Sequence, residues 1–134
     1  VTTPPDYQDV LNHLKQVIAS PAQKVEAEAL PSHCQPCEGG IAALGKDKVE
    51  QLLARFRGWE VVENKKIVKE FKFSDYREAT YFVDMVSLVA QEQGHHPSLT
   101  LGYNKVKITF STHAAGGLTE NDFIMAKLVD ELGA

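Results

Sequence analysis

His95, His96 and His113 place three of the five histidines within a short stretch of chain. An unperturbed imidazole titrates at about 6.5, so a group of them can give and take protons at neutral pH without a metal or cofactor. Two of the three lie in Gly94-His95-His96-Pro97. Pro97 biases His96 toward extended backbone, and successive side chains of an extended chain point opposite ways. The two rings are therefore expected to line two parts of one cleft rather than grip one ion side by side. His113 is expected at a strand end, in Phe110-Ser111-Thr112-His113, ahead of the small-residue run Ala114-Ala115-Gly116-Gly117. Taken alone, the residues leave three readings open: histidines satisfied by local hydrogen bonds, a His-based zinc site, or metal-free acid–base chemistry on a small molecule. Element ends and loops are where sites are built, and no nucleophile motif, phosphate loop or dinucleotide fingerprint competes for the role.

Cys34 and Cys37 form a single C-x-x-C in Cys34-Gln35-Pro36-Cys37-Glu38-Gly39-Gly40. Structural zinc wants four ligands and no second pair exists. A redox pair wants a strand-to-helix setting, whereas this one sits among Pro and Gly. A loop without metal or catalytic role is the expectation. Two cysteines do not describe a secreted disulfide scaffold, so a reducing, cytoplasmic location is expected.

The elements that must position these residues are legible from periodicity. Residues 1–33 read as an N-terminal extension: Pro4-Pro5-Asp6 starts a helix, apolar residues recur at helical spacing from Tyr7 to Ile18, and Ser20-Pro21 stops it. Residues 34–134 form the main domain. Val49, Leu52, Leu53 and Phe56 make a helical stripe that Gly58 closes. Residues 59–63 and 67–73 read as strands around Asn64-Lys65, with Ile67, Phe71 and Phe73 on one face. Lys69 breaks the apolar face, which puts its end of the strand near a sheet edge. Ser74 is expected to cap a long helix with its stripe on Ala79, Phe82, Val83, Val86, Val89 and Ala90, ended by Gly94. Residues 99–103 and 106–110 form a second hairpin around Asn104-Lys105. Thr119 starts the last helix with Asp122 as a capping-box-like partner and Leu118 and Phe123 as a hydrophobic staple. The order α-β-β-α-β-β-α predicts an α+β fold: a four-stranded antiparallel sheet with helices packed on one face. The Asn-Lys pair in both turns hints at an internal repeat.

Composition narrows the function from the other side. The chain has 134 residues, 43% hydrophobic and 24% charged, with a net charge of -4. One core without disulfides is affordable at that length. The acidic balance argues against direct nucleic-acid binding, and no apolar run approaches a transmembrane span.

From Cys34 to the C-terminus the chain resembles the pterin-4a-carbinolamine dehydratases. The resemblance rests on Cys-Gln-Pro-Cys-Glu-Gly-Gly at 34–40, Gly58-Trp59, Phe71 and Phe73, His95-His96-Pro97, Tyr103, His113 in Ser-Thr-His, and Asp122 in Gly-Gly-Leu-Thr-Glu-Asn-Asp. It implies dehydration of 4a-hydroxytetrahydropterin to a quinonoid dihydropterin, in tetrahydropterin recycling, with no metal and no cofactor. By resemblance His95 and His113 transfer protons and His96 holds the pterin. Pro97, Ser111, Thr112 and Asp122 are the further substrate-binding candidates. Asp122 is expected to position His113 or the substrate, or simply to stabilise the first turn of the last helix. A homodimer or homotetramer is implied, and the alternative role is a protein-binding dimerisation partner of a transcription factor or a catalytically weak pterin binder. Two positions depart from the family pattern. Gln91 stands where many members carry an acid, and Leu99 where animal members carry Trp.

Overall fold

The computed structural model describes residues 30, 31, 34, 35 and 42–133. The expected extension helix over residues 7–18, His33 and Cys37 lie outside the described residues. The elements run α1 (Lys46–Leu53), β1 (Glu60–Val62), β2 (Lys66–Lys72), α2 (Tyr76–Gln93), β3 (Ser98–Leu101), β4 (Lys105–Phe110), a 3-10 turn (His113–Ala115) and α3 (Glu120–Gly133). The strands form one antiparallel sheet in the order β1-β2-β4-β3. This is the α+β architecture and element order that periodicity predicts.

Alternation along the strands decides which face the helices cover. Ile67, Val106, Ile108 and Phe110 are fully buried, whereas Lys66, Glu70, Lys72, Lys105 and Lys107 on the other face are exposed. Phe82, Val86, Val89 and Ala90 of α2 and Phe123, Ile124, Leu128 and Val129 of α3 join the inner face in one core. Burial of each large apolar side chain contributes roughly 1.5–3 kcal/mol. Aromatic rings tie the layers together: Phe82 lies 4.8 Å from Phe71 and 5.0 Å from Phe73, centroid to centroid. Trp59 bridges Phe71 and Phe110 at 6.2 and 5.9 Å.

Local chemistry moves several boundaries. α1 stops at Leu53, and Phe56 follows in two tighter turns, where Arg55 N–H reaches Leu52 O and Phe56 N–H reaches Leu53 O. Gly58, at φ +85°, then turns the chain into β1. Asp75, not Ser74, caps α2: its side chain accepts from Glu78 N–H, while Glu78 Oε1 accepts from Ser74 N–H, both at 2.9 Å. Asp75 wins because its carboxylate reaches that free amide with a full negative charge at the positive end of the helix. β1 pairs only as far as Val68, so among the described residues no strand pairs with the rest of β2 on that side. Lys69 uses this gap: its Nζ donates to Asp130 Oδ1 at 2.8 Å and Arg57 O at 2.9 Å. The two Asn-Lys turns differ in geometry. In the first, Glu63 and Asn64 both have positive φ and Lys65 N–H closes the turn on Val62 O, with three residues between the paired Val62 and Lys66. The second turn is instead closed by Gly102 N–H on Lys105 O.

Candidate active site

α2 ends on Gly94, whose φ of +69° is the left-handed conformation that glycine adopts at least cost. The N–H groups of Gly94 and His95 both reach Ala90 O, and the chain then leaves the helix through His96 and Pro97 into β3. β3 pairs with β4 from Ser98 opposite Thr109. Continuing that register sets His96 opposite Ser111 and His95 opposite Thr112, so the two histidine-bearing segments meet at one end of the sheet. Beyond Phe110 the strand does not run on to His113 as expected. Thr112 bridges to Gly117, and His113 opens the 3-10 turn that Gly116 closes at φ +74°. The small residues after His113 permit that tight return.

His95 is the buried member of the trio, at 7% exposure, whereas His96 and His113 are exposed. Its Nε2 lies 2.7 Å from Oδ1 of Asp122, which is fully buried. The other oxygen of Asp122 accepts from Thr112 Oγ1 at 2.8 Å and from Thr119 N–H at 2.9 Å. Thr119 Oγ1 sits 2.8 Å from Thr112 Oγ1. A carboxylate has no hydrogen to give, which fixes the direction of every bond. His95 Nε2 carries a hydrogen toward Asp122, Thr112 donates its own to Asp122, and Thr119 donates to Thr112. In the neutral ring, Nδ1 of His95 is then the atom left with a lone pair, and no described residue hydrogen-bonds it. The His95 ring lies near-parallel to Phe110, at 14° with centroids 6.3 Å apart, so packing as well as charge holds its plane.

The remaining candidates fall around this pair. Thr112 is 2% exposed, with its hydroxyl turned inward to the carboxylate, while Ser111 is exposed and Pro97 half-buried. Asp122 contacts His95, not His113, and it also serves the first turn of α3 through Thr119 N–H. Gln91, at the position where many family members carry an acid, places Oε1 3.1 Å from His96 Nε2. Among the described residues no three His, Cys, Asp or Glu side chains gather as metal ligands. Two partners of the site carry no signal of their own in the sequence: Phe110, which reads only as core, and the hydroxyl of Thr119, which reads only as a cap.

The family model described as pterin 4 alpha carbinolamine dehydratase matches residues 42–132. A Nitrosospira multiformis protein provisionally named pterin-4-alpha-carbinolamine dehydratase is 42% identical over 99 residues, covering 74% of this chain and 87% of the relative. Among solved structures, a Brucella melitensis protein described as a transcriptional coactivator/pterin dehydratase superposes with a TM-score of 0.65 at 32% identity, covering 68% of this chain and 98% of the other. A pterin dehydratase-like protein described as a RuBisCO assembly factor in the alpha-carboxysome superposes at 0.51 and 25% identity, covering 59% and 96%.

Proposed function

The chain belongs to the pterin 4 alpha carbinolamine dehydratase family, and from that premise we propose that it dehydrates a 4a-hydroxytetrahydropterin by histidine acid–base catalysis. The observation that carries the reading is the buried His95–Asp122 contact, 2.7 Å long, which leaves His95 Nδ1 as a directed proton acceptor. In the elimination the C4a–O bond breaks and its electron pair leaves with the hydroxyl, which takes a proton and departs as water. The N–H electron pair of the neighbouring ring nitrogen forms the new C=N bond, and the released proton goes to a base. His95, oriented through Nε2, is assigned that base role at Nδ1. His113, exposed and carried on the turn next to Thr112, is assigned protonation of the leaving hydroxyl. His96 and Pro97 hold the pterin, with Ser111 as a further contact. Thr112 and Asp122 act by holding His95 in place. The net change is loss of one water, so no electron acceptor is needed.

Assay of 4a-hydroxytetrahydropterin disappearance tests this directly. The wild-type protein is expected to beat the buffer reaction, and His95→Ala and His113→Ala each to slow it at least about 10²-fold. A wild-type rate equal to buffer sinks the proposal. A protein-binding role, for which the solved relatives described as a transcriptional coactivator/pterin dehydratase and as a RuBisCO assembly factor offer the precedent, predicts instead that partner binding survives replacement of His95, His96 and His113 together. Assembly of this chain as a homodimer or homotetramer belongs to the same proposal, and sedimentation of the purified protein reads it.

A further inference from the structure

Asn121, the buried neighbour of Asp122, spends both ends of its carboxamide on one backbone unit. Gln35 N–H donates to Asn121 Oδ1 at 2.8 Å, and Asn121 Nδ2 donates to Gln35 O at 2.7 Å. This is the two-way exchange that a paired strand residue would make, supplied here by a side chain. One residue upstream, Cys34 N–H donates to Gln93 Oε1 at 2.8 Å, and Cys34 Sγ lies 3.8 Å from Asn121 O. Leu30 and Cys34 also pack against the core. The Cys34–Gln35 segment thus runs from the last residue of α2, just ahead of Gly94-His95, to the residue of α3 that immediately precedes Asp122. Those are the two helix ends that must stay in register for the 2.7 Å His95–Asp122 contact to persist. The segment lies upstream of residues 42–132, which the family model matches.

We propose that Asn121 and Gln93 are positioning residues that act through the docked Cys34–Gln35 backbone, which ties α3 to α2 and so keeps Asp122 on His95. The proposal rests on the dehydratase reading for its kinetic consequence, but its structural consequence is independent of that reading. Because the contacts at residue 35 are to its backbone N–H and C=O, its side chain is immaterial, and loss of the N–H breaks one half of the exchange. Proline at position 35 removes that donor.

The test uses the full chain with Gln35→Ala, Gln35→Pro, Asn121→Ala and the double variant Gln35→Pro/Asn121→Ala. It reads kcat, KM and the exchange-protected His95 Nε2–H proton resonance. Gln35→Ala is expected to leave all three unchanged. Gln35→Pro and Asn121→Ala are each expected to lower kcat about tenfold with KM nearly constant, and to broaden the Nε2–H resonance. Asn121→Ala removes both of these hydrogen bonds and Gln35→Pro one of them, so the double variant is expected to be no worse than Asn121→Ala alone. An unchanged resonance and kcat in folded Gln35→Pro overturns the proposal, as does an equal loss in Gln35→Ala or a multiplicative loss in the double variant. Should Asn121→Ala fail to fold, Gln35→Pro, at an exposed residue, decides the matter by itself. A wild-type rate equal to buffer would sink the dehydratase reading alone, and the resonance would still decide whether the docked segment holds the pair.

Discussion

Asp122 carries more of this site than any histidine does. It is fully buried and accepts from His95, Thr112 and Thr119, so each of its lone pairs in use faces a donor that has no water to fall back on. Asparagine has the same shape but must aim its NH2 at one of those donors. Facing His95, it forces the hydrogen onto Nδ1 and removes the base. Facing Thr119, it sets two donors head to head. Asp122→Asn is therefore expected to lower kcat/KM at least about 10²-fold, measured in the dehydratase assay. Thr112→Val deletes one donor while keeping the shape and leaves the His95 contact in place. It is expected to cost about 1–3 kcal/mol in urea unfolding, and Thr112→Ser to recover most of that.

α2 offers a contrast between its two ends. Asp75 caps the first turn far from the histidines, on the order of 27 Å along the axis for an 18-residue helix. Asp75→Ala is expected to cost about 1 kcal/mol, seen as a lower Tm with kcat unchanged. Gly94 sits at the other end at φ +69°, and a Cβ there meets nothing within 4 Å. The cost of Gly94→Ala is thus purely conformational, about 1–2 kcal/mol. Because the backbone relieves that strain by shifting the next residue, His95, kcat is expected to fall together with Tm. Equal kinetic effects from the two substitutions would contradict the assignment of Gly94 to the site.

Among the described residues, the charged groups are mostly solvated or paired, as Lys69 is with Asp130. Glu131 is the exception. Its Oε1 is buried without a hydrogen-bond partner among the described residues, and burial, opposed by Lys127 and reinforced by Asp130, raises its pKa above the ordinary 4.5. A raised carboxyl pKa means the folded protein holds this proton more tightly than the unfolded chain. Its contribution to stability is therefore greatest below about 4.5 and is lost as pH climbs through the folded value. Glu131→Gln is expected to flatten that fall, so the variant's Tm gains on wild type between pH 4 and pH 7. A constant difference in Tm across that range would show that Glu131 does not titrate differently on folding. Among the described residues no helix is long and apolar enough to cross a membrane.

Periodicity settled the secondary elements, the antiparallel sheet and the buried face, because strand alternation and helical stripes are local properties of the chain. Motif order pointed to the same three histidines for a related reason: His95-His96-Pro97 and His113 sit at element ends that periodicity already marks. What local pattern could not reach was pairing across distance. Asp122 on His95 spans 27 residues, Asn121 on Gln35 spans 86, and Lys69 on Asp130 spans 61. Each depends on how segments far apart in the chain meet in the fold, and nothing in the spacing of a residue reveals which distant partner will satisfy it. Which histidine is buried, which of its nitrogens faces the carboxylate, and which carboxylate that is were decided by the closing of the core, where leaving a buried polar group unpaired is costly.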